Sequence, residues 1–302
     1  MMNYFDPHIH MVSRTTDDYQ NMADAGIIGV IEPAFWQGQP RTSVGSFVDY
    51  YDMLVGWERF RASQFGIIHY CTMGLNPKES NDIALAEEVM KLLPRYLAKE
   101  GVVGVGEIGF DDITPNEERF MAEQIQLAKQ LSLPVLVHTP HRDKLTGTER
   151  TIAMIKEIGI DENMVLIDHL NEQTLPLVLE TECWRGHSIY PNTKMSEPRM
   201  VKLLQQYGTE KMVINSAADW GVSDPLKVPK TAQAMRDASF SEQDISLVTF
   251  ENPINFFAQS GRISVEEVSR PAIDQTQRWL DNSALRGQEP VVETDTTKVD
   301  QD

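Results

Sequence analysis

Short apolar segments alternate with longer amphipathic segments along most of this chain. The apolar segments are rich in β-branched residues, as over residues 102–110, and such runs are typical of strands buried on both faces of a parallel sheet. The segments between them place apolar residues at helical spacing, as over residues 83–99, which end at Gly101. This alternation of strands and helices predicts a parallel sheet covered by helices.

Eight such pairs of strand and helix can be counted in the first 240 residues. The predicted strands begin near residues 4, 27, 67, 102, 133, 164, 185 and 212. Strict alternation favours an α/β fold of the (β/α)8 TIM barrel type, which uses about 250 residues as one domain, over an α+β fold. We therefore assign residues 1–262 to a single barrel domain.

The chain continues beyond the barrel. An apolar stripe over residues 250–257 predicts a segment that packs against the barrel, and Ser264 with Glu267 has the order of a helix capping box. Residues 263–286 are therefore predicted to be a helical extension. Residues 287–302 are polar and acidic, and we expect them to be disordered.

The composition is acidic, with 45 Asp and Glu residues against 27 Lys and Arg residues. Such a surface repels a polyanion, so nucleic acid is a possible but disfavoured partner. Cys71 and Cys183 lie in apolar or aromatic surroundings, which is typical of free thiols in a reducing compartment. No apolar run approaches the roughly 20 residues that span a bilayer, and no signal peptide is evident at the first residues. We expect a cytoplasmic protein without a membrane partner, and the sequence leaves its oligomeric state open.

His8 and His10 stand at the predicted carboxyl end of strand one. Side chains two residues apart on an extended strand point to the same face, so both imidazoles can reach one cation. This pattern is weak evidence by itself, because a lone histidine at a strand end is more often a hydrogen-bonded structural group. Further ionisable side chains, however, recur where later strands end: Glu107, His138, His169 and, just after strand eight, Asp219.

These six side chains should meet, because the carboxyl ends of all strands in a parallel barrel face one cavity. Four imidazoles and two carboxylates exceed what one zinc ion requires and suit two divalent cations bridged by a carboxylate. The sequence therefore predicts a centre for two Zn, Mn or Mg ions with the ligands His8, His10, Glu107, His138, His169 and Asp219.

The order of these residues resembles that of a known family. The two histidines after strand one, the motif Gly106-Glu107-Ile108-Gly109, His138, the pair Asp168-His169 and Asp219 are similar to the pattern of the TatD-type metal-dependent hydrolases of the amidohydrolase superfamily. The resemblance extends over residues 4–260 and includes residues 252–257. It implies a (β/α)8 barrel with one or two divalent ions, and the family includes metal-dependent deoxyribonucleases.

The resemblance also implies a role for each ligand. His8, His10, Glu107 and Asp219 would hold one metal, while Glu107, His138 and His169 would hold the other, so that Glu107 bridges them. Asp219 would be the catalytic residue, because a carboxylate at the edge of a metal site can accept a proton from water and deliver it to the leaving group.

The substrate half of the site departs from the better-known members of the family. Asn76 precedes Pro77 where those members usually have a histidine, and Thr139-Pro140-His141-Arg142 follows the histidine of strand five in place of a small residue and an arginine. We expect Asn76, His141, Arg142 and Lys194 to contact the substrate. The cationic residues among them would orient an anionic small molecule.

Three functions remain open at this point. The first is a divalent-metal-dependent hydrolase that uses metal-activated water on a small ester, phosphoester, lactone or amide. The second is a TatD-type deoxyribonuclease, which the family resemblance favours and the negative charge and Asn76 disfavour. The third is a non-hydrolytic metal-binding barrel that acts as an isomerase or a pathway partner.

Overall fold

Eight parallel strands in the order β1 to β8 form the centre of the molecule. The computed structural model describes residues 2–269, and helices follow each strand in this range. The predicted (β/α)8 barrel is therefore confirmed. The strands are β1 Tyr4–Asp6, β2 Ile27–Pro33, β3 Ile68–Met73, β4 Val102–Gly109, β5 Val135–His138, β6 Val165–Asp168, β7 Trp184–Ser188 and β8 Met212–Asn215.

The helices begin at side chains that cap their free N–H groups. Thr15 with Asp18 and Thr114 with Glu117 form capping boxes at the first and fifth helices. The amphipathic segment over residues 46–64 folds as parts of two helices rather than one, because Gly56 has φ −114° and ψ −81°, outside the helical region. The helices are α1 Thr16–Asp24, α2 Val44–Val55, α3 Trp57–Ser63, α4 Ile83–Leu97, α5 Pro115–Leu131, α6 Lys144–Ile158, α7 Leu175–Leu179, α8 Glu197–Tyr207, α9 Lys227–Asp237, α10 Glu242–Ser246, α11 Asn252–Ala258 and α12 Val265–Val268, with 3-10 turns at Met11–Ser13, Pro77–Glu79 and Glu162–Met164 and a π-helix at Leu247–Glu251.

The strands divide the core into two apolar layers, because successive side chains on a strand point to opposite faces. One layer lies between the strands and the outer helices and contains Val30, Val102 and Val135. The other comprises alternate strand residues packed with the apolar stripe predicted over residues 250–257. Its members include Phe5, Ile31, Tyr70, Val103, Leu136, Leu166, Val213, Phe250, Ile254, Phe256 and Phe257.

The segments after β1 and β8 close the barrel. The amide of His10 donates to the carbonyl of Ala218 at 2.9 Å, and the amide of Ala217 donates to the carbonyl of His8 at 2.8 Å. The amide of Ser216 also donates to the buried carboxylate of Asp6 at 3.2 Å. The segment that carries two predicted metal ligands is therefore fixed to the segment that precedes a third.

Two strands are shorter than the sequence suggested. β1 ends at Asp6 rather than at His10, because Pro7 has no N–H to continue the ladder. β6 ends at Asp168, and His169 turns out of the strand with a left-handed φ of 62°. Both expected strands therefore end before their histidines, which lie in the loops that follow.

The predicted extension is partly visible. The Ser264 side chain caps α12 by accepting from the Glu267 amide at 3.1 Å, as the capping-box order predicts. The remainder of the predicted helical extension over residues 263–286, and the predicted disordered tail over residues 287–302, lie outside the described residues. Among the described helices, none combines the length and apolar character needed to cross a bilayer.

Candidate metal centre

Glu107, near the carboxyl end of β4, is the centre of a buried cluster. Its Oε2 lies 2.9 Å from His8 Nε2 and 3.8 Å from His169 Nε2. Its Oε1 lies 3.3 Å from His138 Nδ1 and accepts a hydrogen bond from the Asn76 amide at 3.1 Å. The structure thus brings four of the sequence-predicted site residues around one carboxylate.

His10 completes the group of imidazoles. Its Nε2 lies 3.3 Å from His8 Nε2, and its Nδ1 is buried without a hydrogen-bond partner in the described part of the chain. The Nδ1 of His138 is also buried and unpaired, because its 3.3 Å contact with Glu107 lacks hydrogen-bond geometry. Unpaired buried polar atoms are rare and call for an explanation such as an ion.

The donor set fits a divalent cation. His8, Glu107 and His169 each offer one ligand atom, and these atoms all lie within 4.8 Å of one another. Imidazole nitrogens together with a carboxylate oxygen are common ligands of zinc and related metals. The described residues therefore hold a candidate metal site at the position that the sequence predicted.

A hydrogen-bond network behind the cluster orients two of its imidazoles. His8 Nδ1 contacts Asp168 Oδ2 at 2.6 Å, and His169 Nδ1 contacts Ser188 Oγ at 2.6 Å. The Ser188 hydroxyl donates to Asn215 Oδ1 at 2.7 Å, and the Asn215 amide donates to both Asp168 oxygens at 3.0 Å.

This network assigns the tautomers. Because the Ser188 hydrogen is directed to Asn215, the His169 Nδ1 must be the donor in its contact with Ser188. His8 Nδ1 is likewise the donor to the Asp168 carboxylate. Both imidazoles therefore turn their Nε2 atoms towards Glu107, which is the arrangement that partners behind a metal site impose on histidine ligands.

Electrostatics keep the carboxylates ionised. Burial alone would raise the pKa of Glu107, but His138, His169 and His8 together lower it well below its usual range. Burial would also raise the pKa of Asp168, and its neighbours His169 and His8 outweigh that effect, so its pKa is lowered. A carboxylate ligand must be ionised to bind a cation.

The imidazoles of the cluster differ in pKa. Burial lowers the pKa of His138 to about 4 and, with help from His8, that of His10 to about 3. Burial acts in the same direction on His8, but its hydrogen bonds to Asp168 and Glu107 outweigh it and raise the pKa to about 9. His10 and His138 are therefore neutral near pH 7, as ligands must be, while His8 must release a proton to bind a cation.

Close backbone approaches at two glycines bring the strand ends together. Gly109 has a φ of 142°, and a Cβ on it would collide with the carbonyl oxygen of His138. A Cβ on Gly186 would lie 2.5 Å from Asp168 Oδ1. Any larger residue at either position would displace a member of the cluster or of the network behind it.

Asp219 lies at the rim of the cluster, in the loop after β8. It is partly buried, and its Oδ1 accepts hydrogen bonds from the Tyr190 hydroxyl and the Gly221 amide, each at 2.8 Å. The tight group of His8, Glu107 and His169 does not include it. Its roles as a ligand and as the proton acceptor stay predictions.

The predicted substrate residues have different surroundings. Asn76 is buried against Glu107, and the exposed His141 ring lies 5.9 Å from that of His138. Lys194 is partly exposed, with its Nζ 5.2 Å from the Tyr190 ring. Arg142 has a side chain that is 75% exposed and pairs with Asp112 on the surface. Substrate contact by these residues stays a prediction.

Sequence reasoning missed the supporting residues. Ser188 and Asn215 were not singled out, and Asp168 was named only as part of the family pattern, without a role of its own. Two aromatic side chains at the rim, Phe35 and Trp220, were also missed. The strand ends and the loops that follow them indicate that all five lie near the mouth, but not which of them contact one another.

Comparisons with known proteins identify the family of this chain. The family model described as TatD related DNase matches residues 5–258. An uncharacterized metal-dependent hydrolase of Methanocaldococcus jannaschii is 26% identical over 252 residues, which cover 83% of this chain and 98% of that protein.

Solved structures show the same fold. The crystal structure of a TatD-like protein from Archaeoglobus fulgidus has a TM-score of 0.70 and 25% identity, and the match covers 84% of this chain and 99% of that one. A phosphotriesterase homology protein from Escherichia coli, at 19% identity and a TM-score of 0.59, shares the fold over 84% of this chain and 98% of its own. The chain therefore belongs to the TatD family and is a metal-dependent hydrolase with an amidohydrolase-like barrel.

Proposed function

We propose that this protein hydrolyses a small anionic phosphoester in a centre that holds two divalent cations. Support for two cations comes from Glu107, whose oxygens face different imidazoles: Oε2 faces His8 and His169, and Oε1 faces His138. The family pattern groups His169 with His138 instead, so the division of ligands is part of the proposal. Zinc and manganese are the ions that this donor set favours.

The main support for an anionic substrate is the position of Lys194. Within residues 2–269 its ammonium group forms no salt bridge, and it lies over the Tyr190 ring at 5.2 Å from the ring centre. It is close enough to the cluster to lower the pKa of His10, His138 and His169. A cation without a carboxylate partner beside a hydrolytic centre is suited to neutralise an anionic substrate.

A second cation supports this choice. Lys144 begins α6 and donates from Nζ to Thr139 Oγ1 and to the His169 carbonyl, each at 3.0 Å. Burial and the charge of Lys194 lower its pKa to about 8. Positive charge therefore accumulates on the side of the mouth formed by the loops after β5 and β7, although the whole protein is strongly acidic.

The reaction is a displacement by water at phosphorus. Divalent cations, when bound, lower the pKa of a water molecule and polarise the phosphoryl oxygen. Asp219 accepts the proton of the attacking water as the new P–O bond forms, and it returns that proton to the leaving oxygen as the old P–O bond breaks. Its Oδ1 is fixed by Tyr190 and Gly221, so its other oxygen is the one available for this transfer.

Deoxyribonuclease activity is the second candidate. The family description favours it, and cleavage of a phosphodiester would use the same residues in the same roles. The net charge of −18 disfavours a long polyanion and favours a small ester. The non-hydrolytic alternative receives no support, because the family and the relative are hydrolases.

An assay panel tests the proposal. Protein reconstituted with Mn or Zn is assayed on p-nitrophenyl phosphate, bis-p-nitrophenyl phosphate, linear DNA, a lactone and an amide. We expect the highest kcat/KM on a small phosphoester and its loss after chelation. A preference for the lactone or the amide would contradict the proposal, and a preference for DNA would establish the second candidate.

Lys194→Met isolates the anion-binding step. We expect kcat/KM on the phosphoester to fall by about 100-fold, as for the loss of one group that stabilises developing charge. Lys202→Met, which changes an exposed lysine on α8, is the matched control and should leave turnover unchanged. Equal activity of the two variants would remove the argument for an anionic substrate.

A further inference from the structure

Aromatic rings line one side of the barrel mouth. The His10 ring stacks on Phe35 with a centroid distance of 4.0 Å and an angle of 24° between planes. Phe35 is in turn nearly parallel to Trp220, at 6.1 Å and 11°. The row begins at a predicted metal ligand and ends at an indole that is 51% exposed.

Phe35 is held in place on both sides of its backbone. Its amide donates to the Tyr50 hydroxyl at 2.9 Å, and its carbonyl accepts from Arg41 Nη2 at 2.7 Å. Arg41 is itself fixed by a buried ion pair with Glu79 at 2.8 Å. The Phe35 backbone is therefore fixed by Tyr50 on α2 and by Arg41 in the loop after β2.

Trp220 is carried by a fixed turn but remains open to solvent. On one side of it, the Asp219 amide donates to Ser223 Oγ at 3.1 Å, and on the other the Gly221 amide donates to Asp219 Oδ1 at 2.8 Å. Val222, on the same turn, is 80% exposed. A rigid turn that presents two apolar side chains beside a hydrolytic centre is typical of a binding surface rather than of a core.

The surroundings of the rings indicate what they bind. Phe35 contacts the imidazole of His10 directly, so the surface is continuous with the metal centre. Lys194 provides a cation without an ion-pair partner in the described chain on the same mouth. The site therefore offers positive charge for an anion and flat aromatic faces for a group attached to it.

We propose that Phe35 and Trp220 form a subsite for a planar aromatic group of the substrate, either an aryl ring or a nucleobase joined to the anionic ester. This inference rests on the proposed function for the position of the reacting bond, and it names the part of the substrate that the metal centre does not contact. Stacking on an aromatic side chain tolerates any planar group, because every such ring has a π face. The subsite should act on affinity and KM rather than on the chemical step.

Binding of phosphonates tests the subsite without turnover. Calorimetry on the full-length, Mn-loaded protein compares phenylphosphonate with methylphosphonate, which differ only in the planar ring. We expect the phenyl compound to bind about tenfold more tightly to wild type. Trp220→Ala should reduce that ratio to about twofold or less, and Trp220→Phe, which keeps a ring, should retain most of it.

Trp57→Ala is the matched control. Trp57 is 45% exposed, which is close to the exposure of Trp220. It lies beyond the far end of α2, whose 12 residues place it about 18 Å from the mouth. This variant should keep the wild-type ratio. Circular dichroism and metal content of the variants establish that the Trp220 substitutions leave the fold and the centre intact.

The methylenephosphonate analogue of thymidine 5′-phosphate separates the two sources of a planar group. A larger effect of Trp220→Ala on this analogue identifies a nucleobase, and a larger effect on phenylphosphonate identifies an aryl ring next to the reacting atom. Either result supports the subsite. The subsite is overturned when Trp220→Ala changes neither the phenyl-to-methyl affinity ratio nor the affinity for the thymidine analogue, and also when wild type binds none of the three compounds. A failure of phosphoester hydrolysis with intact phenyl discrimination would instead remove only the proposed reaction.

Discussion

Within the described residues, two buried contacts between a histidine and a glutamate have nearly the same length, but the pKa values of the two glutamates are shifted in opposite directions. At the barrel mouth His8 Nε2 lies 2.9 Å from Glu107, and between the strands and the outer helices His69 Nε2 lies 2.8 Å from Glu32. The pKa of Glu107 is far below its usual range, whereas burial raises that of Glu32 to about 8.

The difference comes from what surrounds each carboxylate. Glu107 is approached by imidazoles of His8, His138 and His169, which favour its ionised form. For Glu32, the loss of hydration on burial outweighs the backbone hydrogen bonds from Val12, at 2.9 Å, and Met11 and the charge of Arg61, so its pKa is raised. A buried histidine–carboxylate pair is therefore weak evidence for a metal site. Several convergent donors at the strand ends are strong evidence.

The largest effect is expected when the same substitution is made at each of the two glutamates. Glu107→Gln removes the charge and the second ligand oxygen, so we expect metal content to fall and turnover to drop by at least about 1,000-fold. Glu32→Gln, the same chemical change in the other pair, should keep both. Elemental analysis and kcat on the same preparations make the measurement. One metal equivalent in fully reconstituted wild type would show that the centre is not binuclear.

Asp219→Asn should have the next largest effect. Asparagine can still accept from Tyr190 and Gly221, but it cannot take a proton from water, so turnover should fall by about 100-fold to 10,000-fold with a smaller change in metal content. In His10→Ala, by contrast, metal and activity should fall together. Wild-type turnover of Asp219→Asn would show that this carboxylate is not the general base.

Asp168→Asn should weaken the centre without removing a ligand. The new amide would face the donors on His8 and Asn215, so the orientation of His8 would be lost. Loss of such a partner typically lowers metal affinity by about 10- to 100-fold. Metal titration against a competing chelator measures this change. Asp161→Asn, at an exposed turn, is the control, and equal affinities of the two variants would contradict the orienting role.

The smallest effect on activity is expected at the second pair, where the prediction concerns how stability depends on pH. Because the pKa of folded Glu32 is raised to about 8, its contribution is fully present below the ordinary pKa of glutamate and is lost as the pH rises through about 8. Wild type should therefore lose up to about 1.4 kcal/mol per pH unit from this group across that window. Glu32→Gln does not titrate there, so its Tm should fall less between about pH 5 and pH 9. Parallel Tm curves for the two proteins would contradict the raised pKa.

Much of this arrangement could be predicted from the sequence, because barrel strands bring their carboxyl ends together whatever lies between them. That rule placed Glu107, His138 and His169 correctly at one mouth. It could not reveal the network behind them, because Ser188 meets Asn215 only through the register of β7 on β8. Register depends on packing between distant segments. Phe35 and Trp220 were missed for the same reason, since their loops are neighbours only in the closed barrel.

The closure between the segments after β1 and β8 has a kinetic consequence. Because the amides of His10 and Ala217 form the hydrogen bonds that join these segments, a local opening there would separate the first histidines from the loop of Asp219 while the other strands stay paired. Hydrogen exchange at these two amides would measure how often that happens. Where reclosing is slower than the exchange chemistry, the exchange rate of these amides equals the rate at which the candidate site opens in the native protein.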